Sequence, residues 1–234
     1  MKRFTDRADA GRQLSARVGE LPGLGGCVVV GLPRGGVPVA FEVARALMSP
    51  LDVLVVRKVG VPSQPELAMG AIGEGAVEVI DERMMKSTNV SIGEYEVVAT
   101  RERSELERRV LKYRGRDDPA PIAGKLVIIV DDGVATGSTA RAALRVAKAR
   151  GASRLVLAVP VISGGALQSL RGEVDDVVAL VVVDGPFAVG EWYEHFDQTS
   201  DEEVMRCLSR AKNFVASSPQ EETGRRGDAP RGAE

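Results

Sequence analysis

Short runs of apolar, mostly β-branched residues recur along this chain, and helix-length segments separate several of them. The runs are continuous and do not alternate with polar residues, which is typical of parallel strands covered by helices on both faces. We therefore predict an α/β fold in which an open, mostly parallel sheet is flanked by helices. The predicted strands cover residues 27–31, 52–56, 77–80, 126–130, 155–159 and 177–183, and the clearest helices cover 37–47 and 138–150.

Composition narrows the class of protein. Of the 234 residues, 44% are hydrophobic and 27% are charged, which excludes a wholly disordered chain. The net charge of −2 argues against a nucleic-acid-binding protein, because phosphate contacts usually leave a strongly basic surface. With two cysteines and one histidine, His195, the chain offers neither a disulfide framework nor a His-rich metal site.

The longest apolar runs and the composition of the ends predict location and domain organisation. No run approaches the roughly 20 apolar residues of a membrane-spanning helix, and no secretory signal is recognisable, so we expect a cytoplasmic protein without a membrane partner. Residues 1–214 are expected to form one domain, with a core over about 25–184 and an aromatic C-terminal segment over about 185–214, termed the hood. Residues 215–234 are expected to be a disordered tail.

Two further helices are predicted outside the regular alternation. Residues 91–114 are highly charged but carry apolar residues at helical spacing, and Ser91 with Glu94 forms a capping-box pattern at the start. This segment predicts a surface helix inserted before the strand at 126–130, and we assign it no chemistry. A second helix is predicted to begin after Ser200, which caps it together with Glu203.

An acidic pair, Asp131 and Asp132, directly follows the strand at 126–130, and a loop of small and hydroxyl residues then opens a helix. Ligands of open α/β sheets bind at the carboxyl ends of strands, and backbone N–H groups at a helix N-terminus suit a phosphate. Paired carboxylates suit vicinal hydroxyls, either directly or through Mg²⁺. A ligand that carries a phosphate close to two vicinal hydroxyls fits a ribose 5-phosphate. The loop residues are Ala135, Thr136, Gly137, Ser138 and Thr139.

At these residues the sequence resembles the type I phosphoribosyltransferases, whose signature is four apolar residues, two acidic residues and a short Thr/Gly-rich loop. The chain is also similar to a little-characterised group of bacterial members of that family. The resemblance implies that Asp131 and Asp132 hold the ribose hydroxyls of phosphoribosyl pyrophosphate and that residues 135–139 cradle its 5-phosphate. Gly133 departs from the pattern, because an apolar residue is usual at that position.

Two more elements fit the resemblance. Arg34, Gly35 and Gly36 follow the first strand and resemble the pyrophosphate loop of the family, in which glycines permit close backbone approach and the arginine supplies a forked cation. Arg57 and Lys58 end the second predicted strand and resemble the Arg-Lys pair of adenine phosphoribosyltransferases, where two cations could neutralise the leaving pyrophosphate.

Residues 59–75 are rich in proline and glycine and are expected to be a mobile loop, which matches the catalytic loop of the family in position. Glu66 or Glu74 could act on the incoming base, but we favour the interpretation that both are solvated.

The resemblance implies a Mg²⁺-dependent enzyme that moves ribose 5-phosphate to a nucleobase-like acceptor and releases pyrophosphate. It implies catalytic roles for Asp131, Asp132, Arg34 and Lys58, with the two aspartates also forming the metal site. Phe187 resembles a phenylalanine that stacks on the purine in hypoxanthine-guanine enzymes, although packing within the hood is an equally good interpretation. Ala135 stands where those enzymes carry an acidic general base, so the acceptor stays open.

Two alternatives stay open beside the enzyme. One is a regulator that binds phosphoribosyl pyrophosphate or a nucleotide without turning it over, and the other is a hydrolase of phosphoribosyl pyrophosphate. The expected partners are the phosphosugar and a small acceptor, with no nucleic acid, and a homodimer is compatible with the sequence.

Overall fold

The computed structural model of the protein describes residues 3–115 and 117–216. Five parallel strands form the central sheet in the order β2-β1-β6-β7-β8, and three antiparallel strands form a second sheet in the order β3-β4-β5. The strands are β1 (Val28–Gly31), β2 (Leu51–Val53), β3 (Val56–Val61), β4 (Gln64–Gly73), β5 (Val77–Ile80), β6 (Leu126–Val130), β7 (Arg154–Ser163) and β8 (Asp176–Val183). The helices are α1 (Arg7–Val18), α2 (Gly36–Leu47), α3 (Glu82–Ser87), α4 (Ile92–Arg114), α5 (Ser138–Ala149), α6 (Gly164–Leu170) and α7 (Asp201–Ala216), with a short 3-10 helix at Val189–Trp192.

The central sheet confirms the predicted mostly parallel α/β fold. Strands β1 and β6 are buried along their whole length, and residues of the sheet pack into two apolar clusters, one on each face. Val29 and Ile128 lie on the face covered by α1 and α2, whereas Val30 and Ile129 lie on the other face. Because helices cover both faces, the strands carry apolar residues at successive positions, as the sequence predicted.

The second sheet corrects the prediction for residues 52–80. The predicted strand at 52–56 is divided between β2 and β3, the predicted loop at 59–75 is largely the hairpin of β3 and β4, and β5 joins this hairpin and not the central sheet. Two glycines that suggested a loop have packing roles. A Cβ at Gly70 would lie 2.8 Å from the Tyr95 hydroxyl, and one at Gly73 would overlap Cγ1 of Val146. These glycines therefore let α4 and α5 approach the hairpin closely.

The inserted helix is confirmed as α4, and Ser91 and Glu94 form the predicted capping box. It is less superficial than predicted, because one stripe of the helix packs against the second sheet. The buried residues of that stripe are Tyr95, Ala99, Leu106 and Tyr113. The Tyr95 hydroxyl donates a hydrogen bond of 2.8 Å to Glu78 of β5. The insertion is thus part of the wall of the molecule that also contains β3 and β4.

The beginning of the chain packs against the hood. Phe4 forms a parallel bridge with Tyr193, and the backbone N–H of Glu194 donates to the Phe4 carbonyl at 2.8 Å. Helix α7 forms the second half of the hood, and Ser200 caps it by accepting from the N–H of Glu203, as predicted. The predicted disordered tail at 215–234 lies almost wholly outside the described residues, apart from the last residues of α7. Within the described ranges, no helix is both long and apolar enough to cross a membrane.

Candidate functional site

The carboxyl ends of β1 and β6 meet the N-termini of α2 and α5, and this junction is the candidate site. Gly31 and Val130, the last residues of the two strands, are register partners. The N-caps of α2 and α5 are Gly35 and Gly137, and neither helix has a side-chain hydrogen bond at its cap. In contrast, α1, α3, α4 and α6 are each capped by an Asp or Ser side chain. At the start of α2, however, the N–H groups of Gly36 and Val37 already donate to backbone carbonyls of the preceding loop, and Pro38 has no N–H. Of the two helices, α5 is therefore the one whose N-terminal N–H groups are left for a ligand.

The glycine loop and the acidic pair lie in direct contact. A Cβ at Gly35 would overlap Oδ2 of Asp132, and one at Gly36 would lie 2.6 Å from the Val130 carbonyl oxygen. The peptide bond between Pro33 and Arg34 is cis. Glycine is required at both positions because no side chain fits between the start of α2 and the two carboxylates.

The acidic pair is poorly hydrated. Burial and the neighbouring Asp132 carboxylate raise the pKa of Asp131 well above its usual range. Burial also raises the pKa of Asp132, although Arg7 opposes this effect. The Oδ1 atom of Asp131 accepts a 2.9 Å hydrogen bond from the backbone N–H of Asp132, which fixes the orientation of the first carboxylate. Two adjacent carboxylates in this setting favour a cation or hydroxyl donors nearby.

Arg7 is a functional candidate that the sequence analysis missed. Its Nε atom donates to Oδ2 of Asp132 at 2.9 Å, its Nη1 atom donates to the Asp197 carbonyl at 2.7 Å, and its guanidinium lies 3.9 Å from the ring centroid of Phe196. The Tyr193 hydroxyl donates to the Asp132 carbonyl at 2.6 Å. Arg7 lies 125 residues from its partner, so no local pattern could have indicated the pair.

The loop between β6 and α5 is a turn of small and hydroxyl residues. Gly137 has a φ of 80°, a left-handed conformation that glycine adopts without strain. The Ser163 hydroxyl donates to the Ala135 carbonyl at 2.6 Å, so this carbonyl is held by β7. Thr136 and Thr139 are exposed, and the Thr136 and Ser138 hydroxyl oxygens lie 3.3 Å apart. This arrangement suits a phosphate at the start of α5.

A cavity of about 460 Å³ brings three of the predicted elements together. Its wall includes Pro33 from the glycine loop, Arg57 and Lys58 from β3, and Thr139 from the start of α5. The outer wall comes from the β3–β4 hairpin and from α4. Asp131, Asp132 and Arg34 are not among its lining residues. The cavity therefore extends from the junction toward the inserted helix.

The predicted cations differ in their partners. Arg57 is ion-paired with Glu102 of α4, with nitrogen–oxygen distances of 2.6 and 2.7 Å. Lys58 faces Glu66 at 3.3 Å, and the Glu66 side chain is 90% exposed. Arg34 lies 4.0 Å from Oδ1 of Asp201 at the start of α7. The ion pairs of Lys58 and Arg34 are thus longer than that of Arg57.

Three residues differ from their predicted surroundings. Glu74 is not solvated, because it is buried and ion-paired with the buried Arg114. Gly133 is packed against the hood, because a Cβ there would overlap Cγ1 of Val189. Phe187 lies beside Trp192 and Arg3 in a second cavity of about 310 Å³, whose lining does not include the acidic pair.

The described residues hold no group of three or more His, Cys, Asp or Glu side chains arranged to bind a metal ion. Asp131 and Asp132 are the carboxylates that could hold one. Two protein carboxylates fit Mg²⁺, which commonly binds one or two of them and completes its shell with waters and substrate phosphates.

Comparison with known proteins gives consistent results. A family model described as "Phosphoribosyl transferase domain" matches residues 6–184. The chain is 51% identical over 216 residues to "Putative phosphoribosyl transferase Rv0571c" of Mycobacterium tuberculosis, with 92% of this chain and 48% of that protein covered. The chain therefore spans about half the length of the curated relatives it matches.

Among solved structures, the chain is similar to the protein TT1426 from Thermus thermophilus. The TM-score is 0.82 and the sequence identity 44%, over 89% of this chain and 98% of that one.

Proposed function

This chain belongs to the family of phosphoribosyl transferase domains, and we propose that it transfers ribose 5-phosphate from phosphoribosyl pyrophosphate to a nucleobase-like acceptor. The observation that carries the proposal is the junction of the uncapped N-terminus of α5 and the glycine loop with a half-buried acidic pair. The start of α5 suits the 5-phosphate, Arg34 of the glycine loop suits the pyrophosphate, and the carboxylates suit the ribose hydroxyls. A cytoplasmic location is part of the proposal.

Binding in this arrangement would place the reacting carbon between separate phosphate sites. Residues 135–139 bind the 5-phosphate through backbone N–H groups and hydroxyls, and Asp131 and Asp132 accept hydrogen bonds from the ribose hydroxyls. Arg34 binds the pyrophosphate from the glycine loop, and Gly35 and Gly36 let the backbone of that loop approach closely. Holding the sugar at both ends reduces the entropic cost of reaching the transition state.

The chemistry breaks the bond between C1 of the ribose and a pyrophosphate oxygen, and an acceptor nitrogen forms the new bond to C1. Positive charge develops on the sugar ring, and negative charge develops on the leaving group. Arg34 and Lys58 stabilise that negative charge, because their own ion pairs are longer and weaker than the pair of Arg57. Arg57 is held closely by Glu102. No protein nucleophile is required.

Asp131 and Asp132 are proposed to hold Mg²⁺, which when bound would neutralise part of the pyrophosphate charge. Asp131 is the freer of the two ligands, because Arg7 already pairs with Asp132. Phe187 stays a candidate for stacking on the acceptor, although it lies in a separate cavity beside Trp192.

A pyrophosphate-release assay with phosphoribosyl pyrophosphate, Mg²⁺ and a panel of bases tests the proposal. We expect release that depends on one base and falls by at least about 100-fold in Asp131→Asn/Asp132→Asn. Release without any base would identify a hydrolase, and tight binding without release would identify a regulator. Either of these results would contradict the proposed transfer.

A further inference from the structure

The inserted helix α4 forms part of the wall of the 460 Å³ cavity, although the sequence suggested no chemistry for it. Val98, Arg101, Glu102 and Arg109 line the cavity from this helix. At about 100° per residue these four side chains fall on one flank of the helix, next to the stripe that packs on the second sheet. The helix therefore presents a mainly charged flank to the cavity.

The cavity carries an excess of positive charge. Its lining includes four cationic side chains, Arg57, Lys58, Arg101 and Arg109, against two carboxylates, Glu66 and Glu102. A cavity of this size is within the range of small-ligand sites, and the charge balance favours an anion.

Two of the four cations are already neutralised. Glu102 holds Arg57 at 2.6 Å, and Glu105 accepts a 2.7 Å hydrogen bond from Arg109. Lys58 faces Glu66, but such an exposed carboxylate contributes little to binding a cation. Arg101 is exposed, and no carboxylate pairs with it in the part of the chain that the structure describes. Lys58 and Arg101 are thus the cations that a ligand can engage.

We infer that Arg101 and Lys58 together bind the diphosphate group of the sugar substrate, and that Arg101 is a substrate-binding residue supplied by the inserted helix. The inference rests on the proposed function. A guanidinium presents two parallel N–H donors to phosphate oxygens, and Lys58 of β3 adds a point charge to the same cavity. The diphosphate reaches the cavity from the glycine loop, because Pro33 lines both. Glu102 has a positioning role, because it holds Arg57 at the cavity wall by an ion pair. Since Glu102 pairs with Arg57, Arg101 stays available to the ligand.

Titration calorimetry with inorganic pyrophosphate and Mg²⁺ tests the inference on the full chain. Arg101→Gln should weaken pyrophosphate binding at least about tenfold, because it removes a charge-assisted hydrogen bond, and should leave ribose 5-phosphate binding within about twofold. Arg101→Lys should lose less affinity than Arg101→Gln. Arg17→Gln is the matched control, because Arg17 lies near the end of α1 that is distant from Asp132, and its affinities should equal those of the wild type.

The same samples separate this inference from the proposed transfer. If Arg101→Gln binds pyrophosphate as the wild type does, or if the wild type binds none, the inference is wrong, whatever the base-dependent release assay shows. If pyrophosphate binding falls as expected but no base supports release, the diphosphate site is supported and the proposed transfer fails.

Discussion

Arg7 holds one of the two carboxylates at the centre of the candidate site. Its contacts with Asp132, with the Asp197 carbonyl and with the ring of Phe196 join the start of α1 to the hood. The two aspartates are therefore unequal: among the described residues, Asp132 pairs with a cation, whereas Asp131 accepts a hydrogen bond from a backbone N–H. Asp131 is the carboxylate that is available to a metal ion or a hydroxyl group.

Replacement of Arg7 should show how much this pair stabilises the fold. Arg7→Gln leaves the Asp132 carboxylate poorly hydrated without its cation, so we expect the free energy of unfolding at pH 7 to fall by about 1–3 kcal/mol. Adding Asp132→Asn should recover part of the loss, and urea denaturation of the two single variants and the double variant measures the coupling. Arg12→Gln, on the exposed side of the same helix, is the control. Strictly additive effects would show that the pair contributes no coupling energy.

Gly36 shows how closely the glycine loop approaches the acidic pair. In Gly36→Ala the new Cβ would lie 2.6 Å from the Val130 carbonyl oxygen and 2.8 Å from Cα of Asp131. Backbone atoms cannot rotate away, so we expect a loss of about 1–3 kcal/mol in thermal or urea unfolding. Gly165→Ala, where a Cβ meets nothing within 4 Å, should cost nothing. Equal stability of the two alanine variants would mean that the loop is not held against the pair.

At the scale of elements, Asp201 connects α4 to α7. The carboxylate accepts hydrogen bonds from Lys112 and, at 2.8 Å, from the Tyr113 hydroxyl, and Arg34 lies 4.0 Å away. Hydrogen bonds from Lys112 and then Tyr113 lower the pKa of Asp201 below its usual value. The inserted helix, α7 and the loop that bears Arg34 therefore meet at one carboxylate.

This contact predicts a pH-dependent contribution to stability. Because the pKa of Asp201 is lower in the folded state, its stabilisation is complete above about pH 4 and is lost as the pH falls through the folded value. Asp201→Asn should therefore cost about 0.5–1 kcal/mol at pH 7, because solvent screens this partly exposed ion pair, and the difference should shrink below about pH 4. Urea denaturation across that range measures it, with Glu107→Gln on the exposed part of α4 as the control. A difference that does not change with pH would show that the ionised carboxylate is not the cause.

The elements also show which parts of the fold the sequence could predict. Strands such as β1 and β6 are continuous apolar runs, and α4 and α7 begin at local capping residues, so local patterns were sufficient for them. The hairpin of β3 and β4 was missed because its glycines looked like loop residues. Glycine is needed at positions 70 and 73 because Tyr95 and Val146, which are distant in sequence, pack against them.

At the scale of the whole molecule, the site is assembled from segments that are far apart in the chain. The loop of residues 135–139 and the glycine loop are contiguous motifs, so the sequence could indicate them. The Arg7–Asp132 pair and the α4 wall of the cavity depend on how the elements pack, and no local spacing reveals them. The sequence therefore indicates the contiguous motifs of the candidate site, whereas the contacts that depend on packing are visible in the structure alone.

The central claim is that Asp131, Asp132 and the loop at 135–139 hold a single phosphorylated sugar. Calorimetric titration of phosphoribosyl pyrophosphate in the presence of Mg²⁺ tests it most directly. We predict that the wild type binds one molecule per chain, and that Asp131→Asn/Asp132→Asn lowers the affinity by at least about 100-fold, since two hydrogen-bonded carboxylates are lost. Equal affinity in the double variant, or no binding by the wild type, would contradict the account.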